Sequence, residues 1–236
     1  MDYTIKRSVR AKKMRLKMSA DGALILVLPK YTPEIAGRIF VESNRHWIKA
    51  QRIKLPPIIK SYQQSEINNG TPVLFFDQNL YTIKVEPTTF KRDYFESEEA
   101  QLILYLGNNT KSETKQIRLK ILLEKLYRET AREYLTQRVD YWCEQMGLSY
   151  KDIRIKNTKT RWGSCSSHKN LNFNWRIMMA PKSVIDYLVV HEVAHLKHMN
   201  HSAQFWDLVK AYDPKFKHHK KWLRDNQERL LVFLKN

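Results

Sequence analysis

His191, Glu192 and His195 form an H-E-x-x-H pattern, and His201 follows six residues after His195. On a helix, residues four apart share a face, so both imidazoles of the pattern can reach one metal ion. Glu192 lies between them and can accept the proton of a water activated by that ion. This residue set suits a zinc hydrolase with Glu192 as general base.

A catalytic zinc centre takes three protein ligands and keeps a position for water, so one ligand must come from outside the pattern. His201 is our choice. Its offset from His195 equals that in the metzincin pattern H-E-x-x-H-x-x-G-x-x-H, and Asn200 suits the turn that must bring it back and the cap of the next helix. Two features depart from that pattern: His198 stands where it has glycine, and no methionine follows Met199. His198 is a rival ligand, but it lies about 10 Å further along a continuous helix. Asp207 and Asp213 are the remaining alternatives. His46, His168, His218 and His219 read as packing or surface residues.

Several elements must position these groups. Thr4 to Val27 reads as two strands joined by an Asp21-Gly22 turn, with Lys13, Arg15 and Lys17 on one face. A helix is expected over 34–52 after Pro33, with Ile35, Ile39, Phe40, Trp47 and Ile48 on its apolar face. Strands are expected at 73–76, 81–85 and 102–106, with Glu96, Glu98 and Glu99 in a loop. Gly107-Asn108-Asn109 marks a domain boundary. A helix over 113–146 follows from a sustained 3.6-residue apolar period, and Gly147 fits just past its end. Strands at 153–157 and 171–177 come next, with 161–166 a possible third. Pro181 opens the motif helix, and helices over 202–212 and 217–234 complete the chain. The expected domains are thus a β-rich region over 1–110 with one helix, and a catalytic domain over 111–236. The class is α+β.

The 236 residues carry a formal charge of +18, with net +10 in residues 1–60 alone. That excess favours an anionic contact: nucleic acid, a nucleotide or an acidic protein. No apolar run reaches membrane-spanning length, so no membrane partner is expected. The N-terminus lacks a signal peptide's apolar segment, and two cysteines, Cys143 and Cys165, make no disulfide framework. A cytoplasmic location fits.

Further motifs surround the histidines: T-R-W-G-S-C-S at 160–166, L-N-F-N-W-R at 171–176, V-V-H-E-V-A-H at 189–195 and N-H-S-x-x-F-W at 200–206. With these the chain resembles the YgjP-like metal-dependent hydrolases, relatives of the SprT-type metallopeptidases. The resemblance implies a zincin-like fold, a twisted mixed sheet packed on the motif helix. It implies zinc held by His191, His195 and His201, with Glu192 as base. It also implies an edge strand at Trp162, Gly163, Ser164 and Cys165 along the cleft, where an extended peptide can dock by strand addition. Gly163 allows close approach, and Trp162 and Trp175 suit anchors of the sheet. Arg161 and Arg176 are candidates for stabilising an anionic transition state, or are structural ion-pair partners.

Zinc-dependent peptide hydrolysis is the leading function. The resemblance also brings an alternative, a nucleoside triphosphate (UTP) pyrophosphatase, although the chain has no G-x-x-x-x-G-K-[ST] loop. A third reading is a protease or scaffold that holds nucleic acid on its basic surface through Lys13, Arg15 and Lys17.

Overall fold

The structure, a computed structural model, describes residues 3–18, 24–48, 66–108, 112–158 and 160–234. It is a mixed α and β chain that divides into two compact units, Met1–Ser65 with Lys235–Asn236, and Glu66–Leu234. That division comes earlier than the 110/111 boundary read from the sequence. The strands before residue 110 share a core with the helix after it.

In the first unit, β1 (Tyr3–Ser8), β2 (Arg15–Met18) and β3 (Leu24–Pro29) make a three-stranded sheet in the order β1-β3-β2. Three strands stand where the sequence reads as two. β2 pairs antiparallel with β3, and β1 runs parallel to β3. The Asp21-Gly22 turn lies outside the described residues. β3 alternates, burying Leu24, Leu26 and Leu28. Helix α1 (Glu34–Ser43) covers that face with Gly37 and Val41. This corrects part of the expected helix face: Ile35 is 70% and Ile39 64% exposed, whereas Ile48 lies in the core and Phe40 packs against it. The cause is Gly37: a Cβ there would stand 2.7 Å from Leu26, so the helix approaches the sheet on its glycine side. Residues 49–52 of the expected helix lie outside the described residues.

The second unit is built along one long helix. β4 (Pro72–Phe75), β5 (Asn79–Thr88), β6 (Tyr94–Glu98) and β7 (Gln101–Gly107) form a sheet in the order β4-β5-β7-β6. β6 corrects the expected loop: Glu96 and Glu98 belong to an edge strand antiparallel to β7. Tyr94 stacks on Tyr105, whose hydroxyl donates to Glu96 at 3.0 Å. Helix α2 (Ser112–Met146) buries Leu119, Leu122, Leu123, Leu126, Tyr127, Ala131, Leu135, Val139 and Cys143. Such a stripe at 3.6-residue spacing is what holds a 35-residue helix to its neighbours. Gly147 follows at φ +63°, a conformation that favours glycine.

A second sheet, β8 (Asp152–Lys156), β9 (Gly163–Cys165) and β10 (Asn170–Asn174), has the order β8-β10-β9. β10 is parallel to β8 and antiparallel to β9. The strand expected to run to Ile177 stops at Asn174, whose side chain accepts the Arg176 N–H at 3.1 Å and starts a 3₁₀ turn, Trp175–Met179. Helices α3 (Lys182–Ala194), α4 (Ala203–Tyr212) and α5 (Phe216–Val232) follow. Among the described residues no helix is long and apolar enough to cross a membrane.

Candidate metal centre and cleft

Helix α3 carries the H-E-x-x-H residues. Pro181 precedes it, and Val184, Ile185, Leu188, Val189, Val190 and Val193 are buried along it. An all-round apolar helix is a core element, so its last turn is held inside the fold. A two-pronged ion pair from Arg138 on α2 to Asp186, at 2.6 and 3.1 Å, fixes its other face.

The helix stops at His195. The N–H groups of Leu196, Lys197 and His198 bond back to Val193 and Ala194 carbonyls at 2.9, 3.2 and 3.0 Å, closing the last turn. The chain then reverses. Asn200 accepts the Ser202 N–H at 3.3 Å, and Ser202 caps α4 by accepting the Phe205 N–H at 3.4 Å. The cap is therefore Ser202, where the sequence suggested Asn200.

This reversal returns His201 to the motif helix. Its Nε2 lies 3.2 Å from Nε2 of His191. One ligand atom from each of His191, His195 and His201 falls within 4.8 Å of the others, and this is the group of three metal-capable side chains found among the described residues. Two nitrogens on one tetrahedral zinc are about 3.3 Å apart at ordinary bond lengths. The donor set therefore fits a metal ion. His195 Nδ1 donates to the His198 carbonyl at 3.0 Å, which leaves its Nε2 for the shared space. His198 thus supplies a backbone carbonyl, and its ring is outside the group. Asp207 is exposed, and Asp213 accepts from His219 at 2.8 Å.

Rings brace the three imidazoles. Phe205, fully buried, stacks on His195 at 4.4 Å, and Trp206 stacks on His201 at 5.5 Å. Burial, then the neighbouring His195, His201 and Lys220, pushes His191 down to about 3. Burial also lowers His195, against the His198 carbonyl, which raises it. Both effects favour neutral imidazoles, the form that binds metal. Glu192 is 4% exposed, and its Oε2 has no hydrogen-bond partner among the described residues. Burial pushes its carboxyl up to about 8.

A cleft of about 530 Å³ opens beside these groups. His191, Glu192 and His201 line it with Arg161, Trp162 and Gly163, so six of the residues singled out from the sequence come together here. Trp162 is half-buried in this wall, while Trp175 is fully buried and anchors the core. Ser164 and Cys165 continue β9 away from the cleft. The Ser164 hydroxyl accepts from Asn172 at 3.2 Å. Burial, and then the charge of Glu192, raises the Cys165 thiol to about 11, so it stays protonated. Arg176 is not in the cleft. It is 3% exposed, lies 4.2 Å over the Trp175 ring and donates to the Phe233 carbonyl at 2.8 Å, a structural role.

The sequence reading missed Tyr187, Lys220 and Arg224 as cleft residues. Tyr187 had a signal, standing one turn before His191 on the same face. The α5 residues had none, because which face of that helix meets the cleft is decided by packing.

Two solved structures are similar to part of this chain. One is the metallopeptidase zymogen abylysin of Pyrococcus abyssi, at 20% identity and TM-score 0.37, covering 39% of this chain and 95% of that one. The other is the zymogen jannalysin of Methanocaldococcus jannaschii, at 19% identity and TM-score 0.36, covering 39% and 96%. No curated protein matches. The YgjP-like, metallopeptidase domain family matches over residues 12–226, and the chain belongs to that family.

Proposed function

We propose that this protein is a zinc-dependent peptidase, with His191, His195 and His201 holding one zinc ion and Glu192 acting as general base. The observation that carries this reading is the convergence of three imidazoles beside a buried carboxylate at the wall of a cleft. When bound, the ion supplies Lewis acidity to a substrate carbonyl and makes adjacent water more acidic. Glu192, poorly solvated, accepts the proton of the attacking water and returns it to the leaving amine.

The rest of the site suits an extended substrate. β9 pairs with β10 on one side, and no other described strand pairs with it. Its open edge offers backbone groups to a peptide laid along the cleft. We read the β8-β10-β9 sheet against α3 as a zincin-like arrangement, with the catalytic machinery confined to the second unit.

The test is zinc-loaded protein incubated with unfolded proteins and quenched-fluorescence peptide libraries, beside the Glu192→Gln variant. Cleavage by the parent that the variant lacks supports the assignment. A fully zinc-loaded protein that cleaves none of these substrates overturns it.

A further inference from the structure

Peptide hydrolysis by zinc and a carboxylate does not require the charge pattern of this cleft. Arg161, Lys220 and Arg224 line it, and Glu192 is the one carboxylate among its lining residues. Lys220 and Arg224 stand four apart on α5 and so share a face. The Lys220 ammonium lies 4.1 Å over the ring of Trp206, which stacks on His201. A cation is thereby fixed one ring away from a metal-ligating imidazole. Among the described residues, neither Arg161 nor Lys220 forms an ion pair. Arg224 reaches Asp225 at 3.5 Å through Nε alone, in an exposed contact.

Like charges gathered around one cleft repel, and an anion between them relieves that cost. Trp206 and Leu223 lie among the same lining residues and offer an apolar wall. A carboxylate on a short methylene stem matches both features, because its stem can lie on the wall while its oxygens meet the cations. We infer that this cleft recognises a substrate carboxylate through Lys220, Arg224 and Arg161, so that the enzyme prefers peptides with an acidic group close to the scissile bond. The inference rests on the peptidase reading and names its substrate class. The carboxylate has two sources, a Glu or Asp side chain or the C-terminus of the peptide.

The test uses the full zinc-loaded chain and one peptide sequence carrying Glu, Gln or Lys at each position around the cleaved bond. Each peptide is made with a free and with an amidated C-terminus. Where the side chain is the source, Glu should exceed Gln by about 10-fold in kcat/KM at the recognised position, a difference that added salt diminishes. The exposed-site double variant Lys220→Glu/Arg224→Glu should reverse the preference towards Lys, and Lys220→Met/Arg224→Gln should level it. Binding of the same peptides to zinc-loaded Glu192→Gln protein, read by fluorescence anisotropy, should follow the same order without turnover. A Glu preference that survives amidation assigns the carboxylate to the side chain, whereas Glu, Gln and Lys peptides cleaved alike but about 10-fold more slowly once amidated assign it to the C-terminus.

Equal cleavage of the Glu, Gln and Lys peptides that is also indifferent to amidation overturns the inference and leaves the peptidase reading standing, as does an unchanged preference in the double variant. Zinc-loaded protein that neither cleaves nor binds any peptide overturns both. Lys220-dependent hydrolysis of nucleoside triphosphates without peptide cleavage assigns the cations to phosphate, and likewise overturns both.

Discussion

Gly163 of the edge strand lies directly against the side chain of Glu192: a Cβ added at residue 163 would stand 2.7 Å from its Cδ and 2.8 Å from its Cγ. Both distances are inside van der Waals contact, and the neighbour is a buried group with little room to shift. Glycine is therefore what lets β9 and the carboxylate share one wall of the cleft. Gly163→Ala should cost about 1–3 kcal/mol of stability through overpacking and displace the carboxylate. Thermal unfolding and peptide turnover read the two effects, and a variant that matches the parent in both removes this positioning role.

Glu192→Gln keeps the shape of the buried side chain and removes its basicity. It should retain zinc in a one-to-one ratio and lose turnover by about 10²-fold or more. Elemental analysis and initial rates check the pair. Loss of zinc together with activity would show that Glu192 serves the metal site rather than the proton transfer.

The metal-free protein should show a pH dependence set by Glu192. Burial holds its carboxyl up to about 8 against an ordinary 4.5, so between these values the folded state keeps a proton that the unfolded chain has released. Stability then falls as pH rises through that window. His191 has the opposite sign: it is held down to about 3 against an ordinary 6.5, so its burial costs stability as pH falls below 6.5. Between about 6.5 and 8 the Glu192 effect is the one left of these two. The Tm of metal-free protein should decline across that interval, and Glu192→Gln should flatten the decline. An identical slope in the variant would assign the dependence to other groups.

Arg176 tests the separation of structure from site. Its guanidinium is buried, donates to the Phe233 carbonyl and to Asn157, and lies on Trp175. Arg176→Ala should destabilise by about 2–4 kcal/mol, since the buried Phe233 carbonyl loses this donor and the Trp175 ring its cover. The folded fraction should keep its zinc and its kcat. A fall in kcat with unchanged denaturant midpoint would return Arg176 to the chemistry.

The parts of this protein legible in its sequence are those specified by neighbours along the chain. His191, Glu192 and His195 share a helix face by spacing alone, and six residues suffice to turn His201 back to them. α2 declares itself because its buried leucines repeat over many turns. Elements specified by distant partners were harder to read. β1 pairs in parallel with β3, a choice that no local pattern announces. β6 is an exposed edge strand with glutamates on it, so its composition reads as a loop. The inward face of α1 is set by Leu26 and Leu28, which need Gly37 beside them, so Ile35 and Ile39 face outward. Lys220 and Arg224 enter the cleft only because α5 packs across α3.

X-ray absorption at the zinc edge of the zinc-loaded protein addresses the metal centre itself. We expect one zinc per chain, with three imidazole nitrogens at about 2.0–2.1 Å and one further light atom from solvent. A sulfur neighbour, four imidazoles, or the same spectrum after His201→Ala would contradict the assignment of His191, His195 and His201 as the ligands.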